Sequence, residues 1–183
     1  NPNRATWTAL WRGINLCNAG INRIEDAGFV NVNDKNKREG ELRFLRAFYY
    51  WHIVETWGGV MLRTTETSEP ELTATRSSVA DFYALIISDL EFAAANLPLQ
   101  QEWGNEYSRA SKKSALGFLA RANLSRAYYS LAAGNKGEAD TYFAKARDVA
   151  QELINRKAEL GTDLWASPAE LWDADNNKRN KEA

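Results

Sequence analysis

The residues whose types and spacing could bind a ligand lie in one short polar segment. Trp103 and Tyr107 flank Asn105 and Glu106, and Arg109 follows two residues later. Proteins that bind sugars without cleaving them place flat aromatic side chains against the apolar faces of the sugar ring. Amides, carboxylates and guanidinium groups then bind the ring hydroxyls. We predict that Trp103, Asn105 and Tyr107 contact such a ligand. For Trp103 the competing interpretation, burial against the helix ends, is the favoured one.

Groups that could catalyse a reaction or hold a metal are sparse. The chain has one histidine, His52, and one cysteine, Cys17, so a metal site built from these residue types is nearly excluded. Both lie in apolar helical stretches, which favours packing over catalysis for His52 and a buried thiol over a reactive one for Cys17. Carboxylate pairs such as 25–26 occur, but a glycosidase needs two carboxyl groups placed across one bond. Without a nucleophile, phosphate-loop or dinucleotide motif, we expect neither an enzyme nor a cofactor nor a metal.

The composition is that of an ordinary globular protein with an unusual content of tryptophan. The 183 residues are 44% hydrophobic and 26% charged, with a net charge of −1 and seven tryptophans. The basic residues are scattered along the chain, so it lacks the clustered positive charge by which proteins bind nucleic acid. No apolar run approaches the ~18 residues that a membrane-spanning helix needs. The length suffices for one domain with a substantial core.

Five segments have the three-to-four-residue spacing of apolar side chains that predicts amphipathic helices. No segment of useful length alternates with period two, so we predict an all-α or mostly α fold with long loops. The predicted helices cover approximately residues 4–26, 38–57, 78–97, 111–133 and 136–156. Ser78 is the expected N-cap of the third helix, with Asp81 three residues later as in a capping box. Residues 31–36 are a predicted loop, and the Thr-rich segment 60–70 is a candidate for a short strand or hairpin.

The last two predicted helices, residues 111–156, follow the pattern of a tetratricopeptide repeat. Small residues allow two antiparallel helices to approach closely, and aromatic side chains fill the flanking holes. The matching positions are Asn123-Leu124, Ala127-Tyr128, Glu138-Ala139, Tyr142-Phe143 and Lys145-Ala146. A turn with two extra residues, and Arg121 where the repeat prefers tryptophan, leave a generic αα-hairpin as the alternative. Because one pair cannot bury its own face, we predict antiparallel helix pairs within a single helical domain over residues 1–183.

The segment from Gly40 to Leu62 resembles the signature of the SusD/RagB family. That signature is a Gly-Glu-(Ala/Leu)-Arg-Phe-Leu-Arg-Ala helix, an aromatic run, and an aromatic-Gly-(Asp/Gly)-Val-Pro-Leu loop, in which Met61 here replaces the proline. Three further blocks follow in family order. They are 77–97 with Ile-x-x-Asp-Leu-x-x-Ala, 107–115 similar to Gly-Arg-(Ala/Val)-Thr-Lys-x-x-Ala, and 144–154. Together these blocks extend the resemblance over nearly the whole chain.

The resemblance implies a surface-exposed outer-membrane lipoprotein with tetratricopeptide-like helices. Such a protein caps a TonB-dependent, SusC-like transporter and delivers oligosaccharides or other nutrients to it without catalysis. Because family members are more than twice this long, we expect the 183 residues to correspond to their N-terminal part. Membrane contact is expected only through an N-terminal lipid anchor that this chain does not include. The alternative function is a helical scaffold that binds a protein partner and no small molecule.

Overall fold

The computed structural model of the protein consists of helices joined by loops, and it describes residues 2–69, 73–106 and 108–173. The long helices are α1 (Pro2–Arg23), α2 (Val32–Trp57), α3 (Val79–Asn96), α4 (Lys112–Ala132) and α5 (Lys136–Asn155). Single-turn helices α6 (Lys157–Leu160) and α7 (Pro168–Leu171) follow, and 3-10 turns occupy Ile24–Ala27 and Gln100–Trp103. The described residues form no strand, which confirms the all-α prediction. None of their helices is long and apolar enough to cross a membrane.

Consecutive long helices pack against one another in antiparallel order, α1 on α2, α2 on α3, α3 on α4 and α4 on α5. The main core lies between α2 and α3, where Tyr50, Phe82 and Leu90 are fully buried. The predicted capping box fixes the start of α3: the N–H of Asp81 donates to Ser78 Oγ at 3.1 Å, and the N–H of Ser78 donates to Asp81 Oδ2 at 3.0 Å. Local capping and apolar periodicity therefore account for the central helix.

Two predicted details are wrong. Helix α2 begins at Val32, because the Asn31 side-chain oxygen accepts a hydrogen bond from the N–H of Asn33 at 2.8 Å and caps the helix early. The polar residues expected to form a loop are its first turns. The Thr-rich segment forms no strand within 60–69, because side chains of α1 and α2 bind its backbone polar groups, as described below.

Helices α4 and α5 form a close antiparallel pair. Ala127 on α4 and Ala139 on α5 are both fully buried. At the same end of the pair, Glu138 accepts hydrogen bonds from Arg126 at 2.6 Å and from Ser130 Oγ at 2.8 Å. Small residues at the contact let the helix axes approach, as the repeat pattern predicts. The assignment of residues 111–156 as one tetratricopeptide-like unit within a single domain stays a prediction.

Charged residues from separate family-like blocks meet in space. Arg46 of α2 and Asp89 of α3 form a buried bidentate pair, with Nε–Oδ2 at 2.7 Å and Nη2–Oδ1 at 2.8 Å. Arg43 adds a bond to Asp89 at 3.2 Å. Glu41 of α2 binds the Arg109 guanidinium at 2.7 and 2.5 Å. Two-pronged pairs of this kind fix relative orientation as well as distance, so they set how α2 meets α3 and the segment before α4.

Gly59 lies where the chain leaving α2 passes the segment before α3. A Cβ at this position would lie 2.2 Å from the carbonyl oxygen of Ser77, so any larger residue forces the backbone apart. We expect Gly59→Ala to lower the free energy of unfolding by about 1–3 kcal/mol, measured by urea denaturation. The matched control is Gly137→Ala, where an added Cβ meets nothing within 4 Å and the change is neutral or slightly stabilising. Equal unfolding free energies for the two variants would contradict this close approach.

Candidate functional site

Two adjoining depressions lie along one face of α1. The first, of about 520 Å³, is lined by Trp7 and Trp11 of α1 and by Arg63 and Thr67 of the loop that follows α2. The second, of about 440 Å³, shares both tryptophans and extends to the residues just after α2 and those at 74–76. We name the two depressions together the α1 groove. Ligand sites are usually concave and mostly apolar with a few polar groups, and the α1 groove has this composition.

The aromatic floor of the α1 groove is held by ring contacts. Trp7 meets Trp57 edge to face, with centroids 5.0 Å apart, and lies 5.5 Å from Trp11. Trp11 in turn meets the buried Tyr50 edge to face at 6.1 Å. Both Trp7 and Trp11 remain partly exposed, so the rings are fixed in place while part of each borders the groove. The Trp11 Nε1–H is buried and has no hydrogen-bond partner in the described part of the chain.

The loop wall of the α1 groove is attached to the helices by side-chain hydrogen bonds. Asn15 Oδ1 accepts from the N–H of Thr67 at 2.7 Å. Asn18 Nδ2 donates to the carbonyl oxygens of Arg63 at 3.1 Å and Thr65 at 3.2 Å. The Tyr50 hydroxyl donates to the Arg63 carbonyl and accepts from the Arg63 N–H at 3.0 Å. Burial raises the pKa of Tyr50 to about 12, so this phenol stays protonated and the wall is fixed near neutral pH.

Polar groups at the rim complete the α1 groove. Arg12 and Thr8 are exposed beside the tryptophans, and the partly exposed Asn15 uses its oxygen, but not its amide N–H groups, in the loop contact. Partly open indole rings next to such donors can stack on a sugar ring and bind its hydroxyls. The described residues contain no group of three or more His, Cys, Asp or Glu side chains placed to hold a metal ion.

The predicted ligand-binding residues lie elsewhere. Trp103 is 6% exposed, and its Nε1–H donates to the Ala110 carbonyl at 2.9 Å. Lys37 Nζ lies 4.2 Å and the Arg109 guanidinium carbon 4.5 Å from its ring centroid. Asn105 is exposed, and Tyr107 lies outside the described residues. Trp103 thus serves packing, and ligand contact by these three residues stays a prediction.

The other singled-out residues are buried or packed. Cys17 is 3% exposed, and burial raises the pKa of its thiol to about 11, so the unreactive thiol form prevails near neutral pH. The His52 ring packs against Phe48 with centroids 4.5 Å apart. Its pKa lies below the usual value, chiefly because of burial and secondly because of the nearby Arg121 charge.

Trp7, Trp11 and Ile14 follow the three-to-four-residue spacing that predicts the first helix, so this spacing indicated an apolar stripe and not the α1 groove. Such a spacing is that of any buried helix face. The sequence contains one signal of a polar site, because Arg12 directly follows Trp11 and Asn15 directly follows Ile14.

Comparison with known proteins agrees with this fold. The model of a SusD-like family, described as "Starch-binding associating with outer membrane", matches residues 1–124. A SusD-like protein of Bacteroides ovatus is 28% identical over 180 residues, which are 96% of this chain and 31% of that protein. The structure of a SusD superfamily protein from Parabacteroides distasonis is 25% identical, with a TM-score of 0.80 over 96% of this chain and 35% of that one.

A further structure, determined with xylogluco-oligosaccharide, is 26% identical with a TM-score of 0.77 over 96% of this chain and 33% of that one. The chain spans about a third of the length of these proteins. The family match covers more than half of the chain and includes the signature-like blocks 40–62, 77–97 and 107–115, whereas the block 144–154 lies beyond it. The chain therefore belongs to the SusD-like family of non-catalytic binding proteins associated with the outer membrane.

Proposed function

We propose that the protein binds oligosaccharides at the bacterial cell surface without cleaving them, and that sugar rings lie in the α1 groove. The observation that carries this proposal is the combination of two fixed, partly exposed indole rings, Trp7 and Trp11, with the donors Arg12 and Asn15 along one open groove. The starch-binding description of the family and the related structure with xylogluco-oligosaccharide support the ligand class.

We further propose that the protein is a surface-exposed lipoprotein and delivers its ligand to a SusC-like, TonB-dependent transporter. The association of the family with the outer membrane supports this location. In this arrangement the helices are a rigid support and the loop 60–67 shapes the binding surface. Ligand capture then concentrates the nutrient beside the transporter.

Tryptophan fluorescence and calorimetric titration with a panel of oligosaccharides test the binding proposal. We expect quenching by a matched glycan, and a loss of about tenfold in affinity for Trp7→Ala because one stacking face disappears. The control is Trp172→Ala, since Trp172 is 83% exposed and lies outside the α1 groove. Circular dichroism verifies that each variant is folded. Equal affinities for the two variants would place the sugar elsewhere, and no response to any glycan would contradict the function itself.

The second candidate function is an interaction scaffold, and one feature favours it. Leu124, Tyr128 and Leu131 on α4 are 42%, 59% and 46% exposed and follow the spacing of a single helix face. Exposed apolar rows of this kind often mark protein contacts. Co-purification with a SusC-like transporter, combined with no glycan response in the titrations above, is the outcome that selects the scaffold.

A further inference from the structure

We infer that a hollow between α2 and α4 binds a basic side chain of a protein partner. The hollow, of about 300 Å³, is lined by Glu55 near the end of α2 and by Ser125, Tyr128, Tyr129 and Ala132 of α4. We name it the tyrosine hollow. It includes Tyr128 of the exposed apolar row on α4 and shares no lining residue with the α1 groove. The inference therefore does not depend on glycan binding, and it specifies the chemistry of a partner for the apolar row.

Glu55 supplies the negative charge of the tyrosine hollow. Its side chain is exposed, and Oε1 accepts a hydrogen bond from the hydroxyl of Tyr83, a fully buried residue of α3. Burial raises the pKa of Tyr83, and the hydrogen bond to Glu55 raises it further, so the phenol keeps its proton and remains the donor. Oε2 of Glu55 forms no hydrogen bond, and neither oxygen forms an ion pair, within the described residues. The carboxylate can therefore accept a charged donor from another molecule.

The arginines on the neighbouring turns of α4 are engaged elsewhere. The Arg121 guanidinium carbon lies 4.9 Å from the ring centroid of Trp51. Arg126 donates to Glu138 at 2.6 Å. Among the described residues, no lysine or arginine lines the tyrosine hollow. Thus no described residue of this chain neutralises Glu55 at the hollow.

Two tyrosine rings lie beside this carboxylate and are held in place by other aromatic side chains. The Tyr129 ring centroid lies 5.6 Å from that of Tyr83, and Tyr128 meets Phe143 edge to face at 5.2 Å. Tyr128 is 59% exposed and Tyr129 is partly exposed. Burial and secondly the charge of Glu55 raise the pKa of Tyr129, so the field of the carboxylate reaches this ring. Aromatic faces and a carboxylate both attract cations, and a guanidinium or ammonium group complements the two together.

The apolar row indicates that the cation belongs to a protein segment. Leu124 and Leu131 lie one helical turn to either side of Tyr128 and are 42% and 46% exposed. They are seven residues apart, which is about 10 Å along the helix axis. An extended peptide places alternate side chains on one face, and two of them four residues apart are separated by about 13 Å. A basic side chain flanked in this way by two apolar ones would therefore fill the hollow and cover both leucines, which a free cation cannot do.

The test is an NMR chemical-shift titration of the chain with acetyl-Leu-Gly-Arg-Gly-Leu-amide and with two peptides that carry glutamine or glutamate in place of the arginine. We expect the arginine peptide to bind about tenfold more tightly than the glutamine peptide, with an affinity that falls as salt concentration rises. Glu55→Gln keeps an acceptor for the Tyr83 hydroxyl and is expected to remove this preference. Tyr128→Leu keeps an apolar side chain without an aromatic face and is expected to weaken binding of the arginine peptide about threefold. The matched control is Glu91→Gln, an exposed glutamate of α3 that does not line the tyrosine hollow.

A preference for the arginine peptide that disappears in Glu55→Gln and persists in Glu91→Gln supports the inference, with circular dichroism verifying that each variant is folded. Argininamide, which carries the same cation without the leucines, distinguishes a protein segment from a free cation. If argininamide binds as tightly as the arginine peptide, a protein partner is overturned. Equal binding of the three peptides, binding of none, or an arginine preference that is unchanged in Glu55→Gln also overturns the inference. The glycan titration of the α1 groove is a separate measurement, so these outcomes leave the proposed function untouched.

Discussion

Replacing Asp89 with alanine is expected to lower the free energy of unfolding by about 3–5 kcal/mol, because it leaves the buried Arg46 charge without its partner. Asp89 is fully buried and Arg46 is 4% exposed. Both oxygens of the carboxylate bind that guanidinium, and Arg43 contributes a third bond at 3.2 Å. Water cannot replace these contacts without opening the interface between α2 and α3. Urea denaturation followed by circular dichroism measures the loss.

A matched surface pair provides the control for this prediction. Asp140 pairs with Lys136 on α5, and both side chains are more than half exposed. Asp140→Ala is therefore expected to cost less than about 1 kcal/mol. A double variant, Arg46→Met with Asp89→Leu, removes both charges and is expected to recover much of the stability. If Asp89→Ala lowered the free energy of unfolding no more than Asp140→Ala does, the ion pair between Arg46 and Asp89 would not be the contact that holds α2 against α3.

Local sequence signals predicted the helices and their order better than their contacts. The start of α3 follows from Ser78 and Asp81, which lie three residues apart and need no information from the rest of the chain. The early start of α2 was missed because its first turns are polar and only the Asn31 cap marks them. The partnerships between Arg46 and Asp89 and between Glu41 and Arg109 span 43 and 68 residues. Helical periodicity contains no information about pairings at such separations.

Candidate ligand-binding residues, like the helix contacts, could be predicted from the sequence only where they are neighbours along the chain. Trp103 and Asn105 form a plausible sugar-binding set when only neighbours in sequence are considered. The structure instead brings Lys37, more than sixty residues earlier in the chain, over the indole ring. The α1 groove lies between α1 and a loop that begins some fifty residues after Trp7. Neither segment, considered alone, predicts the groove. Sites built from two distant segments become visible only when the tertiary packing is known.

Replacing Asn18 with alanine is expected to lower the free energy of unfolding by about 2–4 kcal/mol and to weaken glycan binding as well. The side chain is 1% exposed. Its oxygen accepts from Arg46 Nη1 at 2.9 Å, and its amide donates to the carbonyls of Arg63 and Thr65. Removal leaves one buried guanidinium N–H and two carbonyl oxygens without these partners. The loop wall of the α1 groove then loses its main attachment to α1.

Stability and binding should therefore fall together in the Asn18 variant, and this coupling distinguishes it from a simple core defect. Leu90→Ala, a deletion in the fully buried core of α3, is expected to cost about 2–5 kcal/mol with unchanged glycan affinity in the folded fraction. Asn155→Ala on the exposed end of α5 should change neither property. Unfolding curves and calorimetric titration on the same samples give both quantities. If Asn18→Ala loses stability but keeps full affinity, the loop 60–67 does not shape the binding surface, and the sugar must contact α1 alone.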